Sequence, residues 1–246
     1  PTPSSAASDV YKRQDLPLDV KMKYHLKGTN GARGYTPYGI ETALNKNVPD
    51  QKEFWHQGSC SNPDLANNLT INELENFDDI NSLYKEFEKL GIKILESISN
   101  FNIDFNADLK EIAVDGNSVL RLLHYPPVDA QKNDDRAHAH NDVNLITLLV
   151  GGNEGGLEAL DKKGNWVECN CEKNEIICNV GDMLEIISNK KLRSTAHRVK
   201  TKNNEDKSRY SIPFFLHPRP EVILDPETNL TANDFLNKRL SDIKLG

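Results

Sequence analysis

His140-Asn141-Asp142, with His197 far downstream, brings together residue types that bind metal. Two imidazoles and one carboxylate can hold a divalent ion on one face and leave the opposite face open, a donor set that suits Fe(II) working with oxygen. On an extended strand, residues i and i+2 share a face with Cα atoms about 6.6 Å apart, so His140 and Asp142 can converge on one ion. His138 shares that face but stands about 13 Å from Asp142, too far for a third ligand. The third ligand must come from a distant strand, and His197 is the best placed. Arg209 and Ser211 repeat the i, i+2 spacing beyond His197. A guanidinium fork beside a hydroxyl can grip a carboxylate. Tyr125, just before Pro126-Pro127, can add a hydrogen bond through its phenol. The predicted chemistry is a mononuclear metal centre with an organic acid held beside it. His56, His124 and His217 read as solvated or backbone-satisfied histidines.

These residues need strands to carry them. From Ser118 onward the chain reads as short strands between Gly, Asn and Asp punctuation. The runs are Val119–Tyr125, Asn144–Val150, Leu157–Leu160, Trp166–Cys169, Glu175–Asn179, Met183–Ile187, His197–Thr201 and Arg209–Leu216. Upstream, Asp15–His25 reads as a short helix. Asp78–Ser99 is the clearest one, because Ile80, Leu83, Tyr84, Phe87, Leu90, Ile94, Leu95 and Ile98 recur at three- and four-residue steps. The Gly-rich segment Thr29–Pro37 lacks the G-x-x-x-x-G-K-[ST] pattern of a phosphate loop. Leu230–Leu245 reads as a terminal helix with Phe235, Leu236 and Leu240 on its apolar face, placed to cover the barrel mouth. A helical first half feeding a jelly-roll second half is the simplest architecture, mainly β with flanking helices.

The chain has 246 residues and 37% hydrophobic content, enough for one domain with a sizeable core. A formal net charge of -7 argues against nucleic acid or an anionic membrane as partner, since both need a basic footprint. No stretch approaches the length of a transmembrane helix. Cys60, Cys169, Cys171 and Cys178 lack the spacing of a zinc ribbon or redox motif and read as reduced thiols of a cytoplasmic protein. Residues 1–14 read as a disordered or non-native tail. Residues 15–117 follow as a helical part, 118–220 as the jelly-roll core and 221–246 as a C-terminal tail and helix.

The chain resembles the isopenicillin N synthase-like family of Fe(II)/2-oxoglutarate dioxygenases. Leu120–Pro127 resembles the family's R-x-N-Y-Y-P-P strand, with Leu123 and His124 where the family has Asn and Tyr. Ala139–Leu149 resembles the first metal strand, and Gly156-Leu157-Glu158 with Trp166-Val167 the hairpin after it. Asn179–Leu184 and Ser194–Val199 resemble the turn and second metal strand, and Arg209–Phe215 the carboxylate-binding strand. The likeness spans roughly Leu16 to Pro220. It implies a double-stranded β-helix holding Fe(II) through His140, Asp142 and His197. It also implies 2-oxoglutarate as co-substrate, its far carboxylate on Arg209, Ser211 and Tyr125, with no catalytic side chain beyond the metal centre. O2 and a small-molecule substrate are the expected partners, with release of succinate and CO2, and a monomer is favoured. Arg198 is expected to support the site rather than react. Family members begin with an α/β segment that would precede Asp15, so the resemblance implies an N-terminally truncated copy with an unpaired sheet edge. An Fe(II) oxidase using no keto acid, an ethylene-forming variant of the same chemistry and a jelly-roll module without activity remain open alternatives. Substrate-reading residues are expected near Arg33–Tyr38, on loops at the barrel mouth and after Pro220.

Overall fold

The computed structural model describes residues 12–27, 32–42, 48–59, 67–75, 77, 79–127, 135–150, 155–172, 175–201 and 207–242. Most of the expected tail, Thr29–Gly31, Cys60 and Gly151-Gly152 lie outside the described residues.

Eight strands make the central fold: β3 (Val119–Tyr125), β4 (Ala137–His140), β5 (Ile146–Val150), β6 (Leu157–Leu160), β7 (Trp166–Glu168), β8 (Ile176–Val180), β9 (His197–Val199) and β10 (Arg209–Leu216). They divide between two antiparallel sheets. One contains β3-β10-β5-β8 and the other β4-β9-β6-β7. This is the double-stranded β-helix expected from the sequence. Two earlier strands, β1 (Gly34–Thr36) and β2 (Glu53–Gly58), extend the first sheet to the order β1-β2-β3-β10-β5-β8. The part upstream of residue 118 is therefore not purely helical, and a boundary there would cut through a hydrogen-bonded sheet. All six residues of β2 are buried, so no polar–apolar alternation marks it as a strand.

The strand period of two decides what each face does. On β10, Arg209, Ser211, Pro213 and Phe215 line the space between the sheets. Ile212, Phe214 and Leu216 point the other way, into the main core. That core is closed by α2 (Asp79–Ser99), which follows the short α1 (Leu18–Met22). Ile80, Tyr84, Phe87, Gly91 and Leu95 form the buried stripe of α2. Phe87 stacks on Phe214 at 5.6 Å between ring centroids, and Tyr84 meets the same ring edge-on at 5.2 Å. Each such side chain contributes about 1.5–3 kcal/mol through burial. Helix α3 (Leu109–Ala113) packs beside α2.

Three expectations change. Lys12–Asp15 forms a 3-10 turn, and Arg13 is buried with Nη2 donating to the carbonyl of Leu122. The fold therefore begins before residue 15. Met183–Ile187 belongs to helix α4 (Asp182–Ile187), not to a strand. Gly181 caps it in an extended conformation, and Met183, Leu184 and Ile187 lie buried at i, i+1 and i+4. A Cβ on Gly181 would stand 2.2 Å from the carbonyl oxygen of Asn144, so only glycine fits that approach. The short β11 (Ile223–Asp225) and β12 (Leu230–Thr231) precede the terminal helix α5 (Ala232–Asp242). Phe235 and Leu236 of α5 pack on the main core. Leu240 packs on a second cluster of Phe54, Leu123, Tyr125, Ala137 and Val199, beside the cavity and not among the residues that line it.

Candidate metal centre and active site

Strand register brings the histidines together. His140 ends β4 and His197 begins β9, and the two are direct partners in the ladder. Their rings lie 4.4 Å apart between centroids. Asp142 sits just past the end of β4, where its carbonyl accepts the Asp182 N–H at 2.8 Å from the start of α4. One ligand atom from each of His140, Asp142 and His197 lies within 4.8 Å of the others, and among the described residues this is the one such metal-capable cluster.

The surroundings fix the chemical form of each group. Nδ1 of His140 lies 2.7 Å from the carbonyl of His138, and Nδ1 of His197 lies 3.3 Å from the carbonyl of Thr195. A carbonyl can only accept, so each Nδ1 carries a proton and Nε2 is the ring atom left to bind a metal. Burial, and next the facing His197, hold the His140 imidazole down at about 4, neutral at physiological pH. Burial alone would raise the Asp142 carboxyl. The imidazoles of His197 and His140, with hydrogen bonds from Thr147 and Asn179, outweigh it and hold Asp142 below its usual range. Thr147 Oγ1 and Asn179 Nδ2 both donate to Oδ2 of Asp142, at 2.7 and 3.1 Å. Oδ1 is left facing His197 Nε2 at 3.7 Å. Asn144 in turn donates to Thr147 Oγ1 at 3.0 Å and to the carbonyl of Ile146 at 2.9 Å.

The cluster opens on a cavity of about 260 Å³ between the two sheets. Arg209, Ser211 and Tyr125 all line it. Arg209 is the ladder partner of Tyr125 and Ser211 of Leu123, so the expected clamp residues share one corner. The Arg209 guanidinium lies over the Tyr125 ring, 5.2 Å from its centroid, and Nε donates to the carbonyl of Gly155 at 3.4 Å. Leu123, where an Asn was the family expectation, contributes an apolar wall.

Other expected residues fall elsewhere. Arg198 bonds Glu158 at 2.8 Å and stacks on Trp166, away from the cavity lining. His138 bonds Asp50 at 2.7 Å. His217 meets the carbonyl of Phe215, as a backbone-satisfied histidine should. His124 and His56 do not fit that description: His124 lies between Glu53 and Ser208, and His56 accepts from Arg121. Arg33–Tyr38 do not line the cavity. Lys52 and Arg121 do; Arg121 falls at the Arg of the R-x-N-Y-Y-P-P strand, and neither was expected as a site residue. Lys52 bonds Asp50 at 2.8 Å and lies 3.5 Å from Glu41. Arg121 Nη1 lies 3.1 Å from the same Glu41. Burial would raise the Glu41 carboxyl, but Arg121 and Lys52 overcome it and hold Glu41 at about 2.

Relatives settle the class. Residues 116–218 match the profile of the 2OG-Fe(II) oxygenase superfamily. A UPF0676 protein of Schizosaccharomyces pombe is 32% identical over 86% of this chain and 68% of its own length. The chain belongs to the 2OG-Fe(II) oxygenase superfamily. A solved 2OG-Fe(II) oxygenase family protein from Caulobacter crescentus superposes with a TM-score of 0.83 at 38% identity, covering 98% of this oxygenase and 85% of the other chain. A full-length Neurospora crassa protein, solved in complex with alpha-KG, superposes at 0.80 with 25% identity, covering 97% and 82%. This oxygenase is thus an Fe(II)- and 2-oxoglutarate-dependent dioxygenase. The candidate donor set fits the metal: two imidazoles whose Nδ1 is engaged by a backbone carbonyl and whose Nε2 is left as donor, one carboxylate oxygen, and an open side toward the cavity. No described helix is long and apolar enough to cross a membrane.

Proposed function

We propose that His140, Asp142 and His197 are the protein ligands of Fe(II), and that Arg209, Ser211 and Tyr125 hold the distal carboxylate of 2-oxoglutarate. The observation that carries this reading is the convergence of the His140–His197 ladder pair with Asp142, opening on the corner where Arg209 faces Tyr125. When bound, Fe(II) and 2-oxoglutarate supply the oxidising chemistry, in which O2 and the keto acid yield succinate, CO2 and one oxidised C–H bond of a small-molecule substrate.

The side chains do the rest by position. Backbone carbonyls accept from Nδ1–H of His140 and His197, which fixes the tautomer and leaves Nε2 of each ring as the donor atom. Asp142 offers one oxygen because Thr147 and Asn179 occupy the other. Arg209 supplies a charged fork beside Tyr125, Ser211 and Tyr125 can each donate an O–H, and Leu149, Leu157, Ile177 and Val199 give the cavity apolar walls. A cytoplasmic location, supported by free thiols at Cys169, Cys171 and Cys178, completes the proposal.

The test is anaerobic titration with Fe(II), then 2-oxoglutarate, watched by visible absorption. A weak visible band that needs both additions, vanishes in His197→Ala and fades in Arg209→Gln is the expected result. Iron binding with no response to 2-oxoglutarate would remove the clamp. A folded protein that takes up no iron would remove the ligand assignment.

A further inference from the structure

The cavity has two cationic poles. Arg209 pairs across the ladder with Tyr125, and Arg121 lies four residues before Tyr125 on β3, about 13 Å away along the backbone. The first belongs to the co-substrate in the reading above. The second is built with equal care. The Arg121 guanidinium is held between two rings, 4.2 Å from Phe54 and 5.2 Å from Phe215. Nε donates to His56 at 2.5 Å and Nη1 to Glu41 at 3.1 Å, and among the described residues Nη2 makes no hydrogen bond. Lys52 lines the same cavity although its side chain is only 4% exposed, and Asp50 and Glu41 face an ammonium that carries three N–H donors. These partners keep both cations charged and fixed in an otherwise apolar wall.

Position relative to the metal-capable cluster is equally specific. Phe215, under Arg121, is the ladder partner of Thr147, and Thr147 bonds Asp142. Asp50, the partner of Lys52, accepts the backbone N–H of His138 at 3.1 Å, two residues before His140. A molecule anchored on Arg121 and Lys52 would therefore lie along the His140–Asp142 edge, opposite the co-substrate corner.

We propose that Arg121 and Lys52 form the recognition pole for the oxidised substrate, a compact molecule that offers them acceptor oxygens of a carboxylate or an amide carbonyl. Both side chains are donors without acceptor capacity, so only acceptor groups satisfy them. A cavity of about 260 Å³ must hold the co-substrate as well, which limits the substrate to a small molecule. Glu41 and Asp50 balance the two cations, so the pole accepts one polar group and does not act as a diffuse anion trap. The oxidised C–H bond is then one close to that group.

This inference rests on the site reading above, and its test separates the two. Protein loaded with redox-inert Zn(II) and 2-oxoglutarate is titrated calorimetrically with benzoate and with benzamide, two flat probes of the same shape. A probe of this size should bind with a dissociation constant on the order of 1 mM. Binding of benzoate alone identifies a carboxylate as the recognised group, and binding of both identifies a carbonyl oxygen. Arg121→Gln should weaken whichever binds by about 10–100-fold, the effect of losing a hydrogen bond from a charged donor. Arg121→Lys keeps a charged partner for Glu41 and should lose a similar factor, which covers the case in which Arg121→Gln fails to fold. In parallel, 2-oxoglutarate affinity should fall in Arg209→Gln. If it does not, the co-substrate assignment fails while the probe result still reads the Arg121 pole. Probe binding unchanged in both Arg121 variants, or no binding of either probe to the loaded parent at about 10 mM, overturns the proposal.

Discussion

Replacing Glu53 by Gln should destabilise the protein by on the order of 3 kcal/mol at neutral pH. Glu53 starts β2 directly opposite His124 of β3 and is buried. Its Oε1 meets His124 Nδ1 at 2.8 Å, its Oε2 accepts the Tyr35 hydroxyl at 2.5 Å, and Lys21 Nζ lies 3.0 Å from both oxygens. One carboxylate thus ties α1, β1 and β3 together, next to Tyr125. Burial would raise this carboxyl, but the bonds from His124, Tyr35 and Lys21 hold it at about 2 against an ordinary 4.5. A tenfold change in proton affinity corresponds to about 1.36 kcal/mol, so the interval amounts to on the order of 3 kcal/mol. Removing one partner of a buried ion pair costs about 3–5 kcal/mol in general, which agrees. The folded-state value lies below the unfolded one, so the stabilisation is complete above about pH 4.5 and is lost as pH falls toward about 2. Urea unfolding followed by tryptophan fluorescence, at several pH values from 7 down to 3, measures both effects. Glu53→Gln should lie well below the parent at pH 7, and the gap should narrow as acid protonates the parent's own carboxyl. A gap below about 1 kcal/mol at pH 7, or one that does not change with pH, would refute the reasoning. Lys21→Met combined with Glu53→Gln should lose less than the sum of the single changes, because both remove the same pair.

Thr147→Val removes the hydroxyl that holds Asp142 Oδ2 at 2.7 Å while keeping the side-chain shape, and should weaken Fe(II) affinity by about 10–100-fold in chelator competition. Thr147→Ser should restore most of it, and equal affinity in the Val and Ser variants would show that the hydroxyl does not orient the ligand. Arg209→Gln should raise the dissociation constant for 2-oxoglutarate at least about 30-fold, since losing one partner of a desolvated charge pair costs about 2–5 kcal/mol. Ser211→Ala, which removes one neutral donor, should cost about tenfold or less by the same calorimetric titration. Gly181→Ala forces a Cβ onto the carbonyl of Asn144, and overpacking of this kind costs about 1–3 kcal/mol. Thermal unfolding of that variant should show a melting point at least about 2 °C lower, together with weakened metal binding through the Asn144–Thr147–Asp142 chain.

What the sequence showed of this fold depended on whether a pattern was local. The stripe of α2 is readable because its buried residues recur at helical spacing over twenty-one residues. The alternation on β10 separates cavity residues from core residues for the same reason. The strand β2 left no such trace. Both of its faces are covered, and Glu53, His56 and Gln57 are buried with their polar groups satisfied by distant partners. The run Met183–Ile187 is apolar enough for either a strand or a buried helix, and length alone could not decide. Gly181 and the acidic residues Asp182 and Glu185 in the first turn were the signals for a helix start.

The same distinction runs through the site. His140 with Asp142, and Arg209 with Ser211, are pairs separated by two residues, so their shared face can be inferred from strand geometry. Thr147 and Asn179 reach Asp142 only because β5 and β8 are neighbours in one register, with Thr147 opposite Asn179. A slip of one residue in either strand would turn its side chain to the core face and remove one of the two donors to Asp142 Oδ2. The second pole is still less local: Glu41 and Lys52 come from the segment around β2, and Arg121 from β3. Their meeting depends on β2 joining the sheet beside β3, a strand the hydrophobic pattern left unmarked. The candidate ligands could thus be picked out by residue type and i, i+2 spacing, although Asp142 lies just past the end of β4. The groups that orient Asp142, and those that line the opposite end of the cavity, are set by strand pairing, which no local period encodes.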